Sequence, residues 1–569
     1  MPPTALAPGP TRVPHAPSAA IGRCDVVGHS PAANRGARFP HAAATALLIV
    51  AWVALNLAYL ARDCPLDLAP DEAHYWHWSR HLEWSYYSKG PLVAWLIRGS
   101  CEVFGGLSVR LVGSEMLAVR LPAVMSGAAL LAGLAGLAGG VLRSRRAGLA
   151  TVALALTMPV VTASAVVMTI DPPFLACWCW ALVGVWKATR HGGVRWWAFA
   201  GACAALGVLA KYPMLLFPLA VGGFVVTTRR AELRRPGFWV FLGLTALGGV
   251  PILAWNAAHD WVSVRHALGQ AGIGDGVKGR PFRPLGPVGF AAGQFGLLLG
   301  VWFVAFAAGG WRFRRSADTG LALVWWASVP VWGVFLVASC GNRGQVNWPA
   351  AAYVGGLVLA VAWVRERLGH PSPRVRRVTA AAVAGAAVVG VVASVGLRDP
   401  ALTRPALAAI AGPPTAADPT PIRKLDPTCR LRGWRTLATD IDRVRDRVRQ
   451  ETGEDPVLAG MVWTTPGELA FYCAGHPPAY SFGLALADRH SQYDLWRPNP
   501  VADAQAFRGR TFLYVGDELP DAAEVFDRVD PPIRVVHAEG GVPVAVWTVW
   551  VGRGFRGFPP HARSARPSY

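Results

Sequence analysis

The chain has 569 residues, of which 53% are hydrophobic and only 16% charged, and its mean hydropathy is +0.33. That composition excludes an ordinary soluble globular protein, because apolar runs of roughly 18 or more residues recur along the chain. The net charge of +21 does not mark a nucleic-acid partner: much of it lies in short arginine clusters between apolar runs, as in cytoplasmic loops, and no nucleic-acid motif is present.

Residues 1–41 are rich in Pro, Ala, Gly and Arg, with one acid, Asp25. They lack the layout of a cleaved signal and read as a disordered cytoplasmic tail before an uncleaved first span at 42–60. A long outer loop, 61–115, precedes a span at 116–140 that ends at Arg143, Arg145 and Arg146. Residues 147–186 are apolar and basic at both ends. As one helix they would reach about 60 Å, twice the hydrocarbon thickness, so they should form a hairpin. The prolines of "TIDPPF" provide the break and leave Asp171 at the outer turn. The run 196–228 repeats the pattern, with Lys211 in "LAKYPMLLFP" at its outer bend. Spans at 237–255, 286–308, 321–339, 349–364 and 377–396 follow. The outer loop 256–285 also carries Arg265, Lys278, Arg280 and Arg283. The walk yields about eleven spans, or roughly thirteen if short helices are counted.

Residues 399–425 form a Pro-rich linker, and 426–569 read as an extracytoplasmic α/β domain. Within it, "GWRTLATDIDRVRDRVRQ" has helical periodicity, and "PVLAGMVW", "TFLYVGD" and "VPVAVWTVWVG" have the character of strands. The nine cysteines show no zinc spacing. Cys64 with Cys101, and Cys429 with Cys473, could pair in an oxidising compartment.

This threading gathers Asp71, Glu72, His74, Lys89, Asp171, Lys211, His259, Asp260, Arg265, Asn342, Arg343 and Asn347 on one side. Each alone has an ordinary reading. Asp71 and Asp171 suit helix or turn capping, Lys211 suits snorkelling, and the nearby tryptophans suit interface anchoring. Together, acids and bases at one membrane boundary suit an amphiphilic, phosphate-bearing ligand. A lipid or sugar transporter is the alternative, but transporters place their polar groups near the bilayer midplane in paired repeats.

The stretch "PDEAHYWHWSRHLEWSYYSKGPLVAWLIR" (residues 70–98) resembles the first outer loop of bacterial family-39-type glycosyltransferases. These have the GT-C membrane fold, alongside protein O-mannosyltransferases and the lipid A aminoarabinose transferase. The resemblance continues in "VVMTIDPPFLACW", "GVLAKYPMLLFP", "WNAAHDWVSVRHAL", "GNRGQVNWPAAAY", "GWRTLA", "GELAFYCAG" and "SQYDLW". It implies a polytopic α-helical membrane domain at 42–398 that transfers a sugar from a polyprenyl-phosphate donor to an extracytoplasmic lipid, glycan or protein hydroxyl. The protein would lie in the bacterial inner membrane with its N-terminus cytoplasmic.

Asp71 matches the family's catalytic acid position and would serve as general base, in a displacement that inverts the anomeric centre. Glu72 would orient it or bind acceptor, and Asp171 would position substrate or hold a cation. Lys89, Lys211 and Arg265 would stabilise the leaving phosphate. His74, Tyr87, His259, Asp260 and Asn347 are candidate substrate contacts. His74 stands where some relatives carry a phosphate-binding arginine, and Gly90-Pro91 where the family often has Pro-Pro. Carboxylates and histidines would suit a divalent metal, although the sequence does not require one. The run "LVAWLIRGSCEVFG" suits an interfacial helix beside a lipid entrance.

Overall fold

Prolines and glycines decide where the apolar runs of this chain break into helices. The computed structural model describes residues 39–271, 282–341, 344–486, 490–519 and 522–559. The expected tail up to residue 38, together with Lys278, Arg280, Asn342 and Arg343, lies outside the described residues. Helix α1 (Phe39–Ala58) leads to a short outer segment and α2 (Pro70–Arg80). After these come α3 (Leu92–Val112) and α4 (Met116–Val141).

The first expected hairpin is present. Helices α5 (Arg145–Ala155) and α6 (Pro159–Val166) are bent by 72° at Pro159. The chain then turns through 167–170 into α7 (Asp171–His191), with Pro172 and Pro173 in its first turn, where a missing N–H costs nothing. The second break is also as expected. Helix α8 (Val194–Ala210) stops at Lys211, whose backbone is extended, and α9 (Leu216–Thr228) begins after a 3₁₀ turn at Tyr212–Leu215. There follow α10 (Pro236–Leu247), α11 (Val250–Ala258), α12 (Val262–Ala271), α13 (Gly286–Leu297), α14 (Val301–Arg312) and α15 (Thr319–Trp326). The membrane domain ends with α16 (Val329–Ala338), α17 (Ala350–Leu368) and α18 (Pro373–Arg398).

Six described helical segments are long and apolar enough to cross a membrane, or eight if each bent pair is one span. The expected number was higher because Pro and Gly divide several apolar runs into short helices. Close packing uses small residues: a side chain at Gly184 would strike Ala200, and one at Gly201 would strike Leu244 and the Phe241 backbone.

Helix α3 is long enough to be a span, and it packs on the start of α4. The Ala118 carbonyl accepts from Ser100 Oγ at 2.6 Å, and the Ala118 amide donates to Ser108 Oγ at 3.2 Å. It buries Val93, Ala94, Ile97, Cys101 and Ser108, and exposes Val103, Phe104 and Leu107.

A connecting helix, α19 (Pro400–Ala411), leads to the C-terminal region. There α20 (Trp434–Thr452) and the three expected strands form: β1 (Val457–Gly460), β3 (Phe512–Val515) and β6 (Val542–Phe555). The sequence reading missed α21 (Thr464–Tyr472), β2 (Ala479–Ser481), β4 (Phe526–Val529) and β5 (Ile533–Glu539). The sheet order is β2-β1-β3-β6-β4, with β5 also on β6. β1 runs parallel to β2 and β3, and β6 is antiparallel to its partners. Trp76, Trp78 and Ile97 of the outer loop share one hydrophobic core with Leu437, Ile441, Leu469 and Val551 of this region. Cys64, Cys101, Cys429 and Cys473 are all free thiols, so neither considered disulfide forms.

Candidate active site

The site is built on the first turn of α2. Pro70 starts the helix, and the Glu72 side chain reaches back to the Ala69 N–H at 2.8 Å. Both Glu72 oxygens also accept from Arg120, Nε at 3.1 Å and Nη2 at 2.9 Å, and Oε1 accepts the Met168 N–H at 2.7 Å. Arg120 donates further to the Leu66 and Asp67 carbonyls. Both side chains of this ion pair are fully buried. Glu72, expected among the catalytic carboxylates, is therefore sealed. It clamps α2 to α4 and to the segment entering α7. Asp71, one residue earlier, is partly exposed, and the Tyr75 hydroxyl donates to its Oδ1 at 3.5 Å.

Asp171 opens α7, where the helix N-terminus favours a carboxylate. Lys211 Nζ donates to its Oδ1 at 2.6 Å, and Asn347 Nδ2 donates to its Oδ2 at 2.8 Å. The two side chains of this ion pair are 8% and 16% exposed, lysine first. Lys211, expected as a phosphate contact, donates to Asp171, and Asn347 does the same with its amide. Through Asn347 this cluster borders an apolar cavity. Its lining includes Leu130, Met158, Leu175, Trp302, Tyr353 and Asn347.

Lys89 sits on a loop braced against the second break. A Cβ at Gly90 would collide with the Leu209 carbonyl, which explains glycine there. The Lys89 carbonyl accepts from the Tyr86 N–H at 3.1 Å. Tyr87 is buried; its N–H donates to Gln492 at 2.7 Å, and its ring lies 4.8 Å from that of His266. Arg265 is exposed on α12. His259 stacks on Trp255 at 3.9 Å, and Asp260 is exposed with φ +52°. His74 is buried among the rings of Trp78, Trp463 and Tyr493, at 4.7–5.3 Å. The structure thus joins Asp171, Lys211 and Asn347 directly. It links α2 to them through Glu72 and Met168, and Lys89 through Gly90 and Leu209. The contacts of His259 are local to the end of α11.

Sequence reasoning missed Arg120, Glu83, Glu468 and Tyr493. Glu83 accepts from Trp255 Nε1, and lies 3.4 Å from both Gln492 Nε2 and Trp496 Nε1. It therefore ties the first loop to α11 and to "SQYDLW". Glu468, on α21, is 1% exposed, and neither carboxylate oxygen has a hydrogen-bond partner. Burial, with Asp67, Glu72 and Asp71 nearby, pushes its carboxyl well above the usual range; Arg120 opposes this. Its helix packs tightly on α2, since a Cβ at Gly467 would sit 2.8 Å from the Ala73 carbonyl carbon. Beside it the Tyr493 hydroxyl is 3.2 Å from His77 Nδ1, and burial pushes His77 down to about 3. An acid inside the apolar run "GELAFY" was the available signal. Among the described residues, no three His, Cys, Asp or Glu side chains are grouped to hold a metal ion.

The comparison with solved structures decides the fold. ArnT from Cupriavidus metallidurans in the apo state superimposes with a TM-score of 0.54 at 17% identity, covering 90% of this chain and 98% of that one. The same protein bound to undecaprenyl phosphate gives a TM-score of 0.55 at 17% identity, covering 89% and 97%. The chain has the GT-C fold. The family of dolichyl-phosphate-mannose-protein mannosyltransferases matches residues 88–255, from Lys89 through the Asp171 and Lys211 turns to α11. Lipid A galacturonosyltransferase RgtD of Rhizobium johnstonii is 29% identical over 324 residues, 55% of this chain and 64% of that protein. The match therefore spans less than two thirds of RgtD.

Proposed function

We propose that this protein is a membrane glycosyltransferase that moves a sugar from a polyprenyl-phosphate donor to an acceptor hydroxyl outside the cytoplasm. The observation that carries the proposal is Asp171, held by Lys211 and Asn347, at the edge of an apolar cavity between the membrane helices. A prenyl chain fits the cavity chemically, and the polar rim lies where its phosphate-linked sugar would emerge. ArnT's complex with undecaprenyl phosphate supports the same donor class. The name of RgtD makes a lipid hydroxyl the first acceptor to test, ahead of glycan or protein.

In this mechanism Asp71 takes the proton from the acceptor hydroxyl as its oxygen attacks the anomeric carbon. The bond from that carbon to the phosphate oxygen breaks in the same step, inverting configuration and releasing polyprenyl phosphate. Lys89 and Arg265 neutralise the charge growing on the leaving phosphate. Asp171, held by Lys211, positions the sugar. Glu72, paired with Arg120, fixes the first turn of α2 and so positions Asp71, and takes no part in proton transfer. The arginine-rich ends of the spans face the cytoplasm, and the site and the C-terminal domain face outward.

The test supplies membranes carrying the wild-type chain or Asp71→Asn with a radiolabelled polyprenyl-phosphate sugar and a lipid acceptor. Transfer should collapse in Asp71→Asn while the folded protein persists; full activity in the variant would remove Asp71 as the base.

A further inference from the structure

Helix α7 runs from Asp171 to His191, and its 21 residues span about 30 Å, the thickness of the hydrocarbon layer. The far end of α7 opens on a second, polar depression. Arg143, Arg190 and Arg229 line it, together with Trp186, Thr189 and Asp318. Asp318 is already satisfied. Its Oδ1 accepts the Gly320 and Leu321 N–H groups, and its Oδ2 accepts from Arg143 at 2.9 Å. That leaves two guanidinium charges without a carboxylate among the described residues. Arg190 lies over the Trp186 ring at 5.6 Å. Arg229 donates through Nη2 to the Thr189 carbonyl at 2.9 Å, while its buried Nε has no hydrogen-bond partner. A buried, unmet guanidinium N–H costs free energy unless an acceptor arrives.

We propose that this depression binds a phosphate-bearing anion. Arginine forks match phosphate oxygens, and a tryptophan beside them is usual at the membrane boundary. The position one bilayer thickness from Asp171 favours an acidic phospholipid headgroup over a soluble phosphate. The inference rests on the membrane-enzyme reading only in setting this end at a bilayer surface.

The test uses the full-length chain, purified in detergent and stripped of lipid. Phosphatidylglycerol, phosphatidylcholine and radiolabelled inorganic phosphate are titrated separately, with bound lipid counted by native mass spectrometry. Phosphatidylglycerol should bind in preference to phosphatidylcholine. The double variant Arg190→Gln/Arg229→Gln should weaken that binding by roughly tenfold or more. Arg314→Gln/Arg315→Gln, on another basic cluster, should leave it unchanged. Inorganic phosphate that binds as tightly as phosphatidylglycerol, and is lost in the same double variant, would keep the site and assign it a soluble ligand. Equal binding by wild type and Arg190→Gln/Arg229→Gln overturns the proposal, as does equal loss in the Arg314/Arg315 control. Sugar transfer is not the readout, so failure here and failure of Asp71 as base are separate results.

Discussion

Two buried ion pairs hold one end of the membrane domain, and they are built differently. In Glu72–Arg120 every carboxylate oxygen is occupied, both side chains are fully buried, and the partners join α2, α4 and the segment before α7. In Asp171–Lys211 the carboxylate is held by one ammonium and one amide and stays partly exposed, and its amide partner Asn347 lines the apolar cavity. The first pair is a clamp whose oxygens no substrate can reach. The second is a charged edge that a ligand can meet. The adjacent acids Asp71 and Glu72 also differ: Glu72 is sealed, and Asp71 is partly exposed.

The widest separation between the two pairs should come from Arg120→Ala. It leaves the Glu72 carboxylate buried without its cation, which costs about 3–5 kcal/mol. Thermal unfolding in detergent should drop sharply or folded protein should fail to accumulate; wild-type stability would show that Glu72 is not a clamp. Asp71→Asn should lower transfer by roughly 100-fold or more with the unfolding temperature nearly unchanged. Equal losses of activity and stability would mean that Asp71 belongs to the clamp instead.

Asp171→Asn and Lys211→Met sharpen the second half of the comparison. Each should reduce transfer, and in a double-mutant cycle they should couple by about 0.5–3 kcal/mol in stability. Donor-lipid binding should weaken less in Lys211→Met than in Lys89→Ala, because the Lys211 ammonium already sits on Asp171. The reverse order would return Lys211 to a direct phosphate role.

The smallest effect concerns Glu468, beside the clamp. Its folded pKa is raised above the unfolded value, so the folded state holds the extra proton and stability falls as pH rises above about 4.5, towards the folded pKa. Glu468→Gln, which mimics the neutral acid, should flatten that decline in a pH series of unfolding measurements. An unchanged slope would mean that Glu468 is already ionised in the folded protein.

Much of the site's position was legible along the chain, because the signals are local. Paired prolines after Asp171 suit the first turn of a helix, the Lys-Tyr-Pro at 211–213 disfavours a continuing one, and the structure breaks at both places. Strands β1, β3 and β6 announce themselves by β-branched and aromatic runs. Strands β2 and β4 are three and four residues long and carry no such signal.

What the sequence by itself determined was the membrane class, the turns that bear Asp171 and Lys211, and the helix that begins at Pro70. Length, apolar runs and proline chemistry act within a few residues, so no partner is needed to read them. Tertiary structure alone decided which carboxylate is sealed and which is open. Arg120 reaches Glu72 from 48 residues away, and Asn347 reaches Asp171 from 176 residues away. The burial of a charge depends on those distant partners and on the core that excludes water around them, and neither leaves a mark on the neighbouring sequence.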